Sequence, residues 1–111
     1  MDLTGTNGML LIGTGEWNDG MNRVGEGGKG TSLWLGWLLI ATIDRMALLA
    51  DAREPVRAAR WRNHAASVRK AIEAQGWDGE WYRRGTFDDG TFLGTAADTE
   101  CRIDSIAQSW S

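Results

Sequence analysis

A chain of 111 residues with 42% hydrophobic content has room for one modest core, so one domain or part of one is the ceiling. A formal net charge of −3 gives no general attraction to nucleic acid or to anionic membranes, and the single cysteine, Cys101, excludes an internal disulfide. Seven Trp and fifteen Gly, against one Tyr, two Phe and one Pro, point instead to rigid flat faces set among tight loops.

The first residues, Met1-Asp2-Leu3-Thr4-Gly5, show neither a basic start nor an apolar run, so no signal peptide is expected and a reducing, cytoplasmic setting is the expectation. Residues 1–30 read as loop, with glycine at 5, 8, 13, 15, 20, 25, 27, 28 and 30. Within them Met9-Leu10-Leu11-Ile12 reads as a short buried strand or extended segment. Thr31 or Ser32 then offers a hydroxyl to cap a helix over residues 33–50.

In that helix Leu35, Leu38, Leu39, Thr42, Met46 and Leu49 share one side, and Trp34, Trp37 and Ile40 widen the apolar surface. Such width predicts burial on several sides by other helices. Its most apolar stretch, residues 33–43, is half the length of a bilayer span and is closed by Asp44-Arg45, which predicts no membrane contact.

A connection at 51–54 leads to Pro55, suited to the first position of a second helix over 55–75. Trp61, Ala65, Val68 and Ile72 form its core face, and Gly76 is expected as a left-handed stop. So short a connection predicts an antiparallel hairpin. Arg57, Arg60, Arg62, Arg69 and Lys70 lie on the other face, either a polyanion site or, the favoured reading, a solvated surface.

Residues 80–86 and 91–93 are expected to pair about the turn Asp88-Asp89-Gly90. Residues 101–110 read as the start of a third helix, with Ile103, Ile106, Ala107 and Trp110 on one side. The chain stops there in mid-pattern, which is the expectation of a truncated segment.

Several motifs fall away. Gly25-Glu26-Gly27-Gly28-Lys29-Gly30 has the spacing of a dinucleotide loop but lacks the preceding strand and the βαβ unit. His64 has no second ligand at metal spacing, and Cys101 is expected as a small core residue.

Glu16-Trp17-Asn18-Asp19 is different, because two carboxylates flank a Trp and an amide in a Gly-rich loop at the mouth of a helix. Cleaving a glycosidic bond needs an acid that protonates the departing oxygen and rigid partners that hold the ring. Packing of Trp17 against a neighbouring carboxyl would raise its pKa toward that of a general acid. Chemistry alone leaves two readings open, this one and an Asn-Asp-Gly turn beside a buried Trp.

The run from Gly13 through Glu16-Trp17-Asn18-Asp19-Gly20-Met21-Asn22-Arg23 to Gly25, followed by Gly28-Lys29-Gly30 and Leu33-Trp34-Leu35-Gly36-Trp37, resembles glycoside hydrolase family 94. That family contains the cellobiose and chitobiose phosphorylases and the C-terminal phosphorylase-like domain of cyclic β-1,2-glucan synthase. Trp77-Asp78-Gly79-Glu80-Trp81-Tyr82-Arg83-Arg84, Phe87-Asp88-Asp89-Gly90-Thr91 and the stretch from Glu100 to Trp110 extend the resemblance over nearly the whole chain, and resemble the cyclic glucan synthase branch in particular.

The resemblance implies a mainly α fold, residues 1–111 being part of an (α/α)6-barrel catalytic domain truncated at both ends. It implies an inverting β-glucan phosphorylase that transfers glucose to inorganic phosphate, with phosphate as co-substrate and neither cofactor nor metal. Asp19 takes the place of the general acid, and Trp17 lines the site of the transferred sugar. Glu16 and Asn18 join it in substrate binding, Glu100 contacts the acceptor, and Gln108 is a candidate beside it.

The chain departs from the family in having Glu16 for Asp, Leu10 for Pro and Asn7 for His. The family's phosphate-binding His and Thr-Gly fall beyond Ser111, so the segment alone is expected to be inactive. The partners implied are a β-linked glucan, phosphate and the remainder of the barrel, with no nucleic acid. Even an inner-membrane parent would hold this domain on its cytoplasmic side. Rival readings are an inverting β-glucan hydrolase with Glu16 or Glu100 as base, and a non-catalytic glucan-binding fragment.

Overall fold

The computed structural model describes residues 3–111. Two long helices form an antiparallel hairpin, and a small sheet closes one end of it. In chain order the elements are β1 (Leu10–Leu11), a 3-10 turn (Asp19–Met21), β2 (Thr31–Ser32), α1 (Leu33–Asp51), α2 (Pro55–Gln75), β3 (Gly85–Thr86), β4 (Phe92–Leu93) and α3 (Ser105–Ser109).

Ser32 is the last residue of β2 and also the N-cap of α1, its Oγ accepting from the Leu35 N–H at 3.3 Å. Pro55 opens α2 as its sequence suggests. Gly76 corrects expectation. It ends α2 with φ −84, in the right-handed region, so left-handed freedom is not what requires glycine there. A Cβ at Gly76 would instead collide with the Leu33 side chain and the Ile72 carbonyl, so its absence lets the chain pass close to the start of α1.

The core lies between the two helices: Leu33, Trp37, Ile40, Ile43 and Ala47 of α1 meet Ala58, Ala65, Val68 and Ile72 of α2, with Met9 beneath. The burial expected on several sides of α1 is found on one side only. Leu35, Leu38 and Leu39 are half-buried, and Thr42, Met46 and Leu49 are exposed, whereas Trp34 and Trp37 are buried. Tyr82 covers the Trp37 ring edge-on at 5.4 Å, and the Arg69 guanidinium lies 5.4 Å over it.

By length and composition α1 is long and apolar enough to cross a membrane, with mean hydropathy 1.6, so its apolar stretch does not end at Asp44-Arg45 as expected. In this structure it packs against α2 and the sheet.

The hairpin expected about Asp88-Asp89-Gly90 forms, but with strands of only two residues, β3 and β4. Gly90 supplies the positive φ of +86 that its turn requires. The sequence did not suggest that this hairpin continues into a four-stranded antiparallel sheet, in the order β1-β2-β3-β4. Thr31 pairs with Thr86 in register, and their hydroxyls are 2.7 Å apart in the buried centre of the sheet. Gly85 faces the Thr31 carbonyl so closely that any side chain there would strike it.

The third helix is shorter than expected. It spans only Ser105–Ser109, because Asp104 caps it by accepting from the Ile106 N–H at 3.0 Å and residues 101–104 are not helical. Cys101, expected in the core, is exposed and has a positive φ of 50. Ile103 and Trp110 are also largely exposed, and Ala107 alone of the expected apolar side is buried.

Candidate active site

The loop joining β1 to β2 carries the Glu16–Asp19 cluster, and its base is pinned where the Ile12 N–H donates to the Gly30 carbonyl at 2.9 Å. Along this loop consecutive side chains turn in opposite directions. Glu16 points inward, and its carboxylate is fully enclosed. It accepts from Ser32 Oγ at 2.6 Å and forms an ion pair with the Arg84 guanidinium. Arg84 also donates from Nη1 to Ser32 Oγ at 2.9 Å and from Nε to Asp104 Oδ2 at 3.0 Å.

Ser32 Oγ thus gives its one proton to Glu16 and accepts from Arg84 and the Leu35 N–H, which uses the whole capacity of a hydroxyl. Burial pulls the Arg84 pKa below its ordinary value, and Asp104 opposes that pull. Breaking one partner out of a buried ion pair costs about 3–5 kcal/mol.

Trp17 turns outward and is 63% exposed. Its ring meets the buried Trp34 ring edge-on at 6.4 Å, and Trp110 meets Trp34 from another side at 6.3 Å. Trp17 therefore packs on another Trp rather than being buried in a turn. Asn18 caps the 3-10 turn, its Oδ1 accepting from the Gly20 N–H at 3.0 Å. Asp19 is the first residue of that turn, and it is exposed.

Beside the turn lies a cleft of about 410 Å³, bordered by Asn18 and Met21 on one side and by Leu93, Cys101 and Ile103 on the other, with Arg84 and Asp104 also lining it. The elements that meet there are the acid-bearing loop, the β3–β4 hairpin and the segment leading into α3. Glu100 is exposed and immediately precedes Cys101 on the cleft's border.

The structure gives three of the expected sugar-binding residues protein partners. Glu16 is held by Arg84 and Ser32, and Asn18 Oδ1 by the Gly20 N–H. Gln108 accepts from the Tyr82 N–H at 2.9 Å and donates to the Tyr82 carbonyl at 2.6 Å, clamping α3 to the chain below β3. Trp17, Asp19 and Glu100 are left exposed. Sequence reasoning missed Ser32, Arg84 and Asp104 as a unit. Ser32 and Asp104 each carried a local signal as a helix cap, but nothing in the sequence joined them to Arg84.

The glycine-rich run 25–30, which has the spacing of a dinucleotide loop, binds an anion that the protein itself supplies. The N–H groups of Gly27, Lys29 and Gly30 converge on the Asp88 carboxylate at 2.6, 2.8 and 2.8 Å. Those backbone donors hold the Asp88 pKa below the usual carboxylate range. The Asp88 N–H in turn donates to the Val24 carbonyl at 3.1 Å, so the tip of the β3–β4 hairpin fastens the far end of the loop.

A larger cavity of about 760 Å³ lies along the α1–α2 hairpin and includes Arg62, Arg69 and Lys70. Arg62 is paired with Asp51, Arg57 with Glu54, and Arg69 covers Trp37. The basic face is thus partly neutralised and partly used in packing. No group of His, Cys, Asp and Glu suited to a metal occurs among the described residues.

An exposed acidic residue thus stands beside an exposed Trp on a loop fixed from below. The chain belongs to the glycosyl hydrolase 94 superfamily, whose catalytic-domain description matches residues 1–111. It is 57% identical over 109 residues to the cyclic β-(1,2)-glucan synthase NdvB of Rhizobium meliloti, covering 97% of this chain and 4% of that protein. It is 40% identical over 108 residues to the cellobionic acid phosphorylase of Neurospora crassa, with 94% and 13% covered. It is 34% identical over 111 residues to the solabiose phosphorylase of Paenibacillus borealis, with 96% and 14% covered. The chain therefore spans a small part of the length of each of these relatives.

Proposed function

We propose that this segment supplies the general acid and one wall of the sugar pocket in an inverting β-glucan phosphorylase domain built as an (α/α)6 barrel. The α1–α2 hairpin would be part of the barrel wall, and the remainder of the domain its partner. Asp19 protonates the bridging oxygen of a β-glucosidic bond while inorganic phosphate attacks the anomeric carbon from the opposite face, releasing α-glucose 1-phosphate. Phosphate is already a nucleophile, so no catalytic base is required, and no cofactor or metal takes part. Trp17 covers the transferred glucose and Glu100 meets the acceptor. Glu16, Asn18 and Gln108 hold the pocket's parts in place through their protein contacts.

One observation carries this reading: Asp19 stands exposed at the start of a capped turn, two residues after an exposed Trp, on a loop anchored by a buried ion pair. The name of the 57% identical relative supports a β-1,2 linkage. The hydrolase reading with Glu16 as base loses support, because Glu16 is enclosed by Arg84 and has no access to a water that it would have to activate; that reading would require the exposed Glu100 instead.

The test is to incubate the full-length enzyme with β-1,2-glucan oligosaccharides, with and without phosphate, and to follow the products by phosphorus and proton NMR. Phosphate-dependent release of the α anomer of glucose 1-phosphate is the expected result. Free glucose released without phosphate would establish a hydrolase, and absence of turnover in both conditions a binding segment.

A further inference from the structure

The buried Arg84 is the centre of a cluster that the proposed chemistry leaves without a task. Its side chain is 2% exposed, and its three donor nitrogens go to three different parts of the fold. Nε holds Asp104, the cap of α3; Nη1 holds Ser32, the cap of α1; and Nη2 holds Glu16, on the acid loop. Among the described residues, Glu16 is anchored by this guanidinium and by the Ser32 hydroxyl that Arg84 also contacts. From Glu16 only Trp17 and the capping Asn18 intervene before Asp19.

We infer that Arg84 is a positioning residue for the acid: through Glu16 it fixes where the exposed Asp19 carboxylate stands relative to the cleft bordered by the α3 segment. A planar fork suits this role, because a guanidinium can satisfy three acceptors in fixed directions while an ammonium on a flexible stem cannot. Asp104 gives the device its second end. The same guanidinium that holds the acid loop holds the start of α3, so the two sides of the cleft are registered by one side chain. A misplacement of about 1 Å at a reacting group lowers rates by about 10²-fold, which makes such registration matter for proton transfer.

The inference rests on the acid role proposed for Asp19, and its test separates the two. The full-length enzyme is assayed for phosphorolysis of the β-glucan and of 2,4-dinitrophenyl β-glucoside, whose leaving group departs without a proton. Arg84→Lys keeps a cation near Glu16 but cannot hold Ser32 and Asp104 together. It is expected to lower turnover of the glucan by about 10–100-fold and that of the aryl glucoside by less than about 3-fold. Asp104→Asn keeps the cap of α3 and removes one anchor, so the same selectivity is expected at about 3–10-fold on the glucan.

Asp19→Asn is run beside them. If it loses both substrates equally, the acid role fails and the inference with it. If Asp19→Asn spares the aryl glucoside while the Arg84 variant matches the wild type, or loses both substrates alike, Asp19 remains the acid and the positioning role is overturned. Should Arg84→Lys fail to fold by circular dichroism, Asp104→Asn decides the matter by the same criterion.

Discussion

Two carboxylates far apart in sequence, Glu16 and Asp88, are both consumed by the protein, and a third, Asp19, is left in the open. Glu16 is neutralised by a buried guanidinium and a hydroxyl, and Asp88 by three backbone N–H groups of the glycine loop. Both contacts fasten the loop that carries Asp19, one near the acid and one at the far end. The Asp88 contact has a pH signature. Its folded-state pKa is depressed, so its contribution is present above the unfolded value, about 3.9, and is lost as pH falls through the lower folded value. Asp88→Asn keeps the hairpin turn but removes the charge that organises the three donors. The variant should be less stable than the parent at pH 7, and the difference should close as pH is lowered below about 4. Paired thermal melts across that range check this, and a stability difference independent of pH would contradict it.

At the scale of elements, the α1–α2 hairpin is the rigid base on which the site rests. Ile72 is fully buried where α2 meets α1, and the missing Cβ of Gly36 leaves room for its side chain. Ile72→Ala should therefore cost about 2–5 kcal/mol of stability, read from the denaturation midpoint, because a cavity opens between two helices that cannot collapse on it. A cost within about 0.5 kcal/mol of zero, the range of an ordinary surface change, would mean that the interface is not packed as described. Both long helices were legible in the sequence because their signals are local: a hydroxyl cap at Ser32, Pro55 at the start of α2, and apolar residues at helical spacing.

The buried face of α1 was not legible, since a helix apolar nearly all round has no single favoured direction. Of the sides expected to be covered, the one with Met46 and Leu49 is exposed, whereas Trp34 and Trp37 are covered by the chain's own aromatic residues. The sheet was hidden for another reason. Strands of two residues have no alternation to read, and the Thr31–Thr86 contact that joins them spans 55 positions. The family was legible through the resemblance of the segment about Glu16–Asp19, and the chemistry of the residues alone left it open. Arg84, which joins Glu16, Ser32 and Asp104, carries no signal in the sequence, because ion pairs between distant parts of a chain leave no pattern.

Over the whole molecule, the helix hairpin stands out from the sheet and loops, giving extents of 50 × 29 × 23 Å. Leu48, Leu49 and Val56, 66%, 72% and 76% exposed, lie on that projecting part, and the proposed barrel would bring further helices against it. Asp19, by contrast, sits at the sheet end, on a loop whose anchors lie within the segment. On the proposed function, proton donation belongs to this segment and the completion of the pocket to the rest of the domain. The most direct test is the phosphorolysis rate of the full-length Asp19→Asn enzyme on its natural glucan, measured beside Glu16→Gln. Asn keeps the shape of the turn but has no proton to give, so the rate should fall by about 10²–10⁴-fold, with a smaller loss for Glu16→Gln. A wild-type rate for Asp19→Asn, or a larger defect at Glu16 than at Asp19, would contradict the account.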